Sequence, residues 1–313
     1  MRIHISTPID QETRLAAMFR EALPDADVAL VDGASANGVD LAPADYVVIG
    51  YRNAGLFDRE RRMKAIFAFS AGVRHLLALP NLPRDVPVIR LEDAGMAEQM
   101  VRYVLAATLR FTQRFDLYAG QQREALWRDW KPRAPHEFRI GVLGLGVIGS
   151  EIARSLAKLG FSVRGFAQRS KSIEGIQSFA GSEALDLFLT DLDVLVSVLA
   201  LTPETIGILN RATLSRLARG AHVINIGRGA HLVDADLLAL IDEGKLSGAT
   251  LDVFNEEPLP ADHPFWRRPE IAITPHVAGV TLPDQAVAQI AAKIRLLERG
   301  STVTGIVDRE RGY

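Results

Sequence analysis

Four side chains in the C-terminal half have the types needed for acid–base chemistry on an anion: Arg228, Asp252, Glu257 and His276. The stretch from Val223 to Asp234 reads VINIGRGAHLVD, so an apolar run ends in Arg228, between Gly227 and Gly229, where a strand should turn to solvent. Strands of an open α/β sheet deliver their C-terminal ends to the ligand crevice, and a guanidinium is a planar fork of donors that holds a carboxylate bidentately. Arg228 therefore points to an anionic substrate whose reacting centre lies next to its carboxylate; the alternative is an arginine that merely caps a turn. GATLDVFNEEPL puts Asp252 at a second strand end and Glu257 just before Pro258, while IAITPHVAG puts His276 after a third strand. Hydride delivery to a ketone requires a proton donor for the developing alkoxide, and imidazolium suits that task near neutral pH. A carboxylate against its other nitrogen would fix the tautomer and stabilise the imidazolium.

The hydride source is legible upstream. RIGVLGLGVIGSEIARSLAKLG, from Arg139, runs as a strand into Gly144, Gly146 and Gly149 and continues as a helix with Ile152, Ala153, Leu156 and Leu159 on one face. In that context Gly144 makes the tight turn, Gly146 lets a dinucleotide pyrophosphate approach the backbone, and Gly149 lets the helix pack on the strand. The helix start, Val147 and Ile148, offers free N–H groups to the phosphates. The next strand, FSVRGF, ends in AQRSKS: Ala167 stands where an NAD-preferring fold carries an acid for the ribose 2′-OH. Gln168, Arg169, Ser170 and Lys171 are placed to receive a 2′-phosphate, so NADPH is expected to be preferred over NAD; the alternative is a solvated basic turn.

The elements that must position these groups alternate along the chain. RIHIS, DVALVD, ADYVVIGY, KAIFAFS and VPVIRL read as strands interleaved with helical periodicity such as QETRLAAMFREAL, the rhythm of a parallel sheet wrapped by helices. Residues 96 to 127 read as one long helix, which KPRAPHEF ends with two prolines, and a domain change is expected near that segment. A second series of strands follows at RIGVL, FSVRGF, DVLVSVLA, AHVINIG, GATLDVF and IAIT. A last helix spans about Pro283 to Arg299, before a tail too ordered in composition to be a frayed end.

Composition bounds the rest. At 313 residues two domains are expected, and 36 basic side chains nearly cancel 38 acidic ones, so nothing recruits nucleic acid or an anionic membrane. The absence of cysteine excludes disulfides, thiolate metal sites and a Cys nucleophile and fits a reducing compartment, so a soluble cytoplasmic protein is expected. His4, His75, His136, His222, His231 and His263 lack paired metal-ligand spacing and are read as non-catalytic, and no metal is expected. Trp127, Trp130 and Trp266 are read as core or interface residues.

In this order after GLGVIG, the blocks VINIGRG, LDVFNEEP and TPHVAG resemble the signatures of the D-isomer-specific 2-hydroxyacid dehydrogenase family. LEDAGMAEQM, LTPETIGILN and the ending VDRERGY extend the likeness over essentially the whole chain. The resemblance implies an α/β fold of two Rossmann-like or flavodoxin-like domains with parallel sheets and the active site in the interdomain cleft. Residues 1–98 plus 284–313 would form the substrate-binding domain, and 99–283 the dinucleotide-binding domain. It implies that Arg228 binds and polarises a 2-keto acid, that Glu257 partners His276, that His276 supplies the proton, and that Asp252 holds the nicotinamide carboxamide. Backbone N–H groups of Gly72 and Val73, in SAGV, would grip the substrate carboxylate. Arg74 follows that block where Asp is frequent in the family, and Tyr51 and Arg52 could line the pocket. The implied reaction is reduction of a small 2-keto acid, glyoxylate or hydroxypyruvate, by a homodimer. The competing expectations are a bulkier substrate such as phenylpyruvate or 2-ketoisocaproate, and a non-catalytic nucleotide sensor on the same fold.

Overall fold

The apolar runs YVVI and AIFA in the first third of the chain become strands buried on both faces, which is why they are near-continuous in hydrophobicity; RIHIS alternates, yet its His4 and Ser6 are buried as well. The computed structural model describes residues 1–7, 9–31, 42–50, 56–59 and 63–310. It divides into two compact units, Met1–Gly95 with Thr281–Tyr313, and Met96–Val280.

In the first unit β1 (Arg2–Ser6), β2 (Asp27–Leu30), β3 (Tyr46–Ile49), β4 (Ala65–Ala68) and β5 (Val88–Ile89) form a parallel sheet in the order β2-β1-β3-β4-β5. Alternate residues feed opposite faces. Ile3, Ile5, Tyr46, Val48 and Phe67 pack with Leu15 and Phe19 of α1 (Ile9–Ala22). Val47, Ile49, Ile66 and Ala68 face a second cluster holding Phe57 of α2 (Leu56–Arg59) and Leu76 of α3 (Arg74–Leu77). The helix expected near the C-terminus is Pro283–Glu298, and its Ala286, Val287, Ile290 and Ile294 join the first cluster. The ordered tail is confirmed: Ile306 bridges antiparallel to Ile89, Val307 N donates to Val88 O at 2.8 Å, and buried Lys293 pairs with Glu92 at 2.8 Å. Tyr51 and Arg52 lie outside the described residues.

The second unit opens with α4 (Met96–Thr112) and α5 (Phe115–Arg123), which corrects the expectation of one helix over 96–127. Arg114 adopts φ 59°, a left-handed conformation that breaks the hydrogen-bond ladder between them. The two pieces also differ in what they cover. Met96, Met100, Val104, Ala107 and Thr108 of α4 are buried, whereas α5 buries nothing, so tertiary packing supports the first piece and not the second.

Seven parallel strands follow: β6 (Arg139–Leu143), β7 (Ser162–Ala167), β8 (Gln177–Ala180), β9 (Val194–Ser197), β10 (Ala221–Asn225), β11 (Leu246–Leu251) and β12 (Ile271–Ile273). Their order is β12-β11-β10-β9-β6-β7-β8, and β8 is a strand that the sequence pattern did not reveal. The sheet packs against α6 (Val147–Lys158), α7 (Leu185–Leu189), α8 (Arg211–Leu214) and α9 (Asp234–Asp242). Its core gathers Leu143, Phe188, Leu192, Leu195, Val223, Leu237, Leu240 and Leu251, each worth about 1.5–3 kcal/mol when fully buried. No helix among the described residues is long and apolar enough to cross a membrane.

Candidate active site

Because the second unit's strands are all parallel, the segments that leave them depart from one edge. The glycine loop follows β6, the basic turn follows β7, and Arg228, Asp252 and His276 follow the three neighbouring strands β10, β11 and β12.

At the glycine loop, Gly144 has φ 110°, a conformation that side chains rarely adopt. A Cβ on Gly149 would stand 1.8 Å from the Gly144 carbonyl oxygen, so the start of α6 can lie against the turn only as glycine. Gly146 is different: a Cβ there meets nothing within 4 Å, and it caps α6 without any side-chain hydrogen bond to the helix N–H groups. The exposed helix start therefore leaves both room and unused donors for an anion. Gly144 N and Leu145 N donate to Phe166 O at 3.0 and 3.1 Å, which ties the loop to the end of β7. Just beyond, Gln168, Arg169 and Ser170 are exposed, and their side chains bond to nothing among the described residues. Lys171 donates through Nζ to the Leu145 carbonyl, which holds this basic turn beside the glycine loop.

Arg228 is half-buried, with Nη1 donating to Gly227 O at 2.6 Å. Burial holds its guanidinium below the ordinary value, and the negative charge of Glu257 acts in the opposite direction; an arginine stays protonated regardless. Asn225, fully buried at the end of β10, brackets the turn: its Oδ1 accepts from Gly227 N at 3.2 Å and its Nδ2 donates to Arg228 O at 3.1 Å. Gly229 is obligatory for a steric reason, since a Cβ there would fall 1.8 Å from the Phe254 carbonyl carbon. The arginine turn thus rests on the backbone that leads to Glu257.

Glu257 and His276 are joined. His276 Nδ1 is 2.7 Å from Glu257 Oε2, while Glu257 Oε1 accepts from Phe254 N at 2.9 Å. Both side chains are partly exposed, at 47% and 36%, and His276 Nε2 has no hydrogen-bond partner among the described residues. His276 adopts φ 56°, uncommon for a residue with a side chain, and the surroundings hold it there. Its N–H donates to Asp252 O at 2.9 Å. The Asp252 carboxylate, 1% exposed, accepts from Thr274 Oγ1 at 2.6 Å, Val277 N at 2.8 Å and Ala278 N at 2.9 Å. Of its roughly four acceptor positions three are taken, which leaves one direction on Oδ2. Tyr103 of α4 is 2.6 Å from Thr274 Oγ1; since Thr274 donates to Asp252, the tyrosine hydroxyl is the donor of that pair. Burial raises the pKa of that hydroxyl. Asn225, Thr274 and Tyr103 were invisible in the sequence because nothing in their spacing marks a neutral side chain as a brace.

In the first unit, Gly72 and Val73 lie just before α3, and Ser70 Oγ donates to Gly72 O at 2.8 Å. The Gly72 and Val73 N–H groups have no partner among the described residues. Arg74 opens α3.

Residues 105–278 match the model of the D-isomer specific 2-hydroxyacid dehydrogenase NAD binding domain. Glyoxylate/hydroxypyruvate reductase A of Serratia proteamaculans is 47% identical over 279 residues, 88% of this chain and 89% of that protein. Its namesake from Yersinia enterocolitica is 44% identical over 279 residues, with the same coverage of each chain. Among solved structures, a D-isomer specific 2-hydroxyacid dehydrogenase from Xanthobacter autotrophicus Py2 in complex with NADPH and MES superposes with a TM-score of 0.94 at 38% identity, covering 100% of this chain and 99% of that one. An NADPH-dependent glyoxylate/hydroxypyruvate reductase from Sinorhizobium meliloti, in complex with NADP and sulfate, gives a TM-score of 0.91 at 34% identity with the same coverage.

Proposed function

Because the chain belongs to the D-isomer specific 2-hydroxyacid dehydrogenase family, we propose that it reduces small 2-keto acids, glyoxylate to glycolate and hydroxypyruvate to D-glycerate, with NADPH as the preferred hydride source. The observation that carries this reading is the 2.7 Å bond between His276 Nδ1 and Glu257 Oε2, made beside a half-buried Arg228. It commits one ring nitrogen to the carboxylate and leaves Nε2–H as the proton to give. The names of the relatives and the nicotinamide cofactors bound in the similar structures support the same substrates and cofactor.

The cofactor fits the residues present. Gly146 and the uncapped start of α6, Val147 and Ile148, would hold the pyrophosphate, and Gln168, Arg169 and Ser170 the 2′-phosphate. The open direction on Asp252 suits a carboxamide N–H. When bound, the reduced nicotinamide supplies hydride to the keto carbon. Arg228 holds the substrate carboxylate and draws density from the adjacent carbonyl. His276 passes its Nε2 proton to the oxygen as it becomes an alkoxide, and Glu257 stabilises the imidazolium that precedes this transfer. Residues 1–98 with 284–313 are read as the substrate domain and 99–283 as the dinucleotide domain.

Two copies of the chain are proposed to pair through residues 115–130, where Phe115, Trp127 and Trp130 are 63, 98 and 52% exposed. Sedimentation should give a dimer, and a monomer at assay concentration would end that proposal. The cysteine-free chain supports the cytoplasm as its compartment, which cell fractionation checks. The activity is tested by ranking glyoxylate, hydroxypyruvate, phenylpyruvate and 2-ketoisocaproate by kcat/KM with each cofactor. A small 2-keto acid with NADPH should lead. Preference for phenylpyruvate would move the substrate class, and no turnover with any of the four would reject the enzyme reading.

A further inference from the structure

Arg228 is anchored through its peptide groups before its side chain meets anything. Its N–H donates to Nδ1 of His231 at 3.2 Å, and its carbonyl accepts from His231 N at 3.2 Å as well as from Asn225. The short turn Gly229–His231 is in turn fastened to its neighbours: Gly207 N donates to Ala230 O and Leu209 N to His231 O, both at 2.8 Å. His231 has no solvent exposure. A Cβ on residue 227 would stand 3.1 Å from both Nδ1 and Cε1 of the ring, tighter than such contacts usually are, so glycine at 227 gives the imidazole its place against the chain.

For Nδ1 to accept the Arg228 N–H, its lone pair must be free, which makes the ring neutral with its proton on Nε2. Burial above all, with the charge of Arg228 adding to it, brings the His231 pKa down to about 4 against the opposing pull of the Ala200 carbonyl, so the neutral form prevails at neutral pH. A bidentate grip on a carboxylate tolerates only about 10–20° of misorientation, so the peptide that launches the guanidinium must be held.

We infer that His231 is a positioning residue for Arg228, its buried Nδ1 fixing the peptide from which the guanidinium reaches the 2-keto acid. The inference rests on Arg228 being the substrate-binding group. It assigns work to a histidine with no motif of its own, and it explains why the arginine is preceded by glycine.

The test compares His231→Leu, His231→Asn and His231→Gln in the full-length protein, with glyoxylate and NADPH in steady state. Asparagine carries an acceptor at the δ position, where Nδ1 was; glutamine carries it one bond further out. Loss of one neutral hydrogen bond should raise KM for glyoxylate about three- to tenfold in the Leu and Gln variants, with KM for NADPH changed by less than about twofold. His231→Asn should recover most of the loss. In an Arg228→Lys background, His231→Leu should add nothing further, because the two act on one contact. Asparagine no better than glutamine, full additivity with Arg228→Lys, or equal rises in both KM values would overturn the positioning role while leaving Arg228 in place. An unchanged KM for glyoxylate in Arg228→Lys alone would remove the substrate-binding reading and the inference with it. Should His231→Leu not fold, the Asn and Gln variants decide the question.

Discussion

Replacing Glu257 with glutamine should slow reduction without weakening cofactor binding. The carboxylate now serves two donors at once, His276 Nδ1 at 2.7 Å and Phe254 N at 2.9 Å. A glutamine has a single acceptor oxygen. If that oxygen stays on Phe254 N, the amide NH2 faces Nδ1 and favours the neutral ring with its proton on Nε2, a far weaker acid than imidazolium. If it turns to His276, the Phe254 N–H meets the NH2 group. Either way a charge-assisted hydrogen bond worth about 1.5–3 kcal/mol is lost. With both side chains more than a third exposed, solvent screening keeps the loss in the lower part of that range, about 1.5–2 kcal/mol, or roughly ten- to thirtyfold in kcat. The assay is steady-state glyoxylate reduction at saturating NADPH, with KM for NADPH measured alongside. His276→Ala should cost about a hundredfold to ten-thousandfold, and the double variant should be no slower than His276→Ala alone, because the carboxylate acts only through the ring. A kcat for Glu257→Gln within about threefold of the parent, or full additivity in the double variant, would refute the coupling.

Arg228→Lys should raise KM for the keto acid and lower kcat by about tenfold or more in each, since a point charge cannot replace the fork that holds a carboxylate and polarises the neighbouring carbonyl. Near-normal kinetics would return Arg228 to a turn-capping role. Arg169→Ala should weaken NADPH by roughly tenfold to a hundredfold, leave KM for NADH nearly unchanged, and show its largest effect at low salt; equal losses with the two cofactors would make the basic turn a solvated one. Stability should be level above about pH 6.5 and fall as pH drops towards 4, because burial lowers His222 and His231 from 6.5 to about 4 and the unfolded chain alone takes up their protons in that window. Each contributes at most about 3 kcal/mol, measurable by urea unfolding at several pH values, and a His222→Gln variant as steeply pH-dependent as the parent would show the proton uptake lies elsewhere.

The alternation of strand and helix, the glycine loop and the three polar residues just past strand ends, Arg228, Asp252 and His276, were legible in the sequence because each depends on local rules. Burial of a parallel sheet on both faces produces continuous apolar runs, and a tight turn into a helix demands glycine at fixed offsets. The same local rules misread residues 96–127, where one left-handed residue at Arg114 splits the helix without disturbing its apolar period. They also passed over β8, whose QSFA has no apolar run to announce it. What the fold alone decided is which groups meet. Glu257 and His276 are 19 residues apart and touch because their strands are neighbours. Asp252, a strand-end acid in the sequence, proves to be the clamp that holds the His276 backbone in its strained form. Tyr103 reaches that clamp from a helix 171 residues before Thr274. Positions along the chain declare the type of a side chain and the strand that carries it, but hydrogen bonds between distant segments depend on sheet order and loop packing, and those are set by the whole core at once.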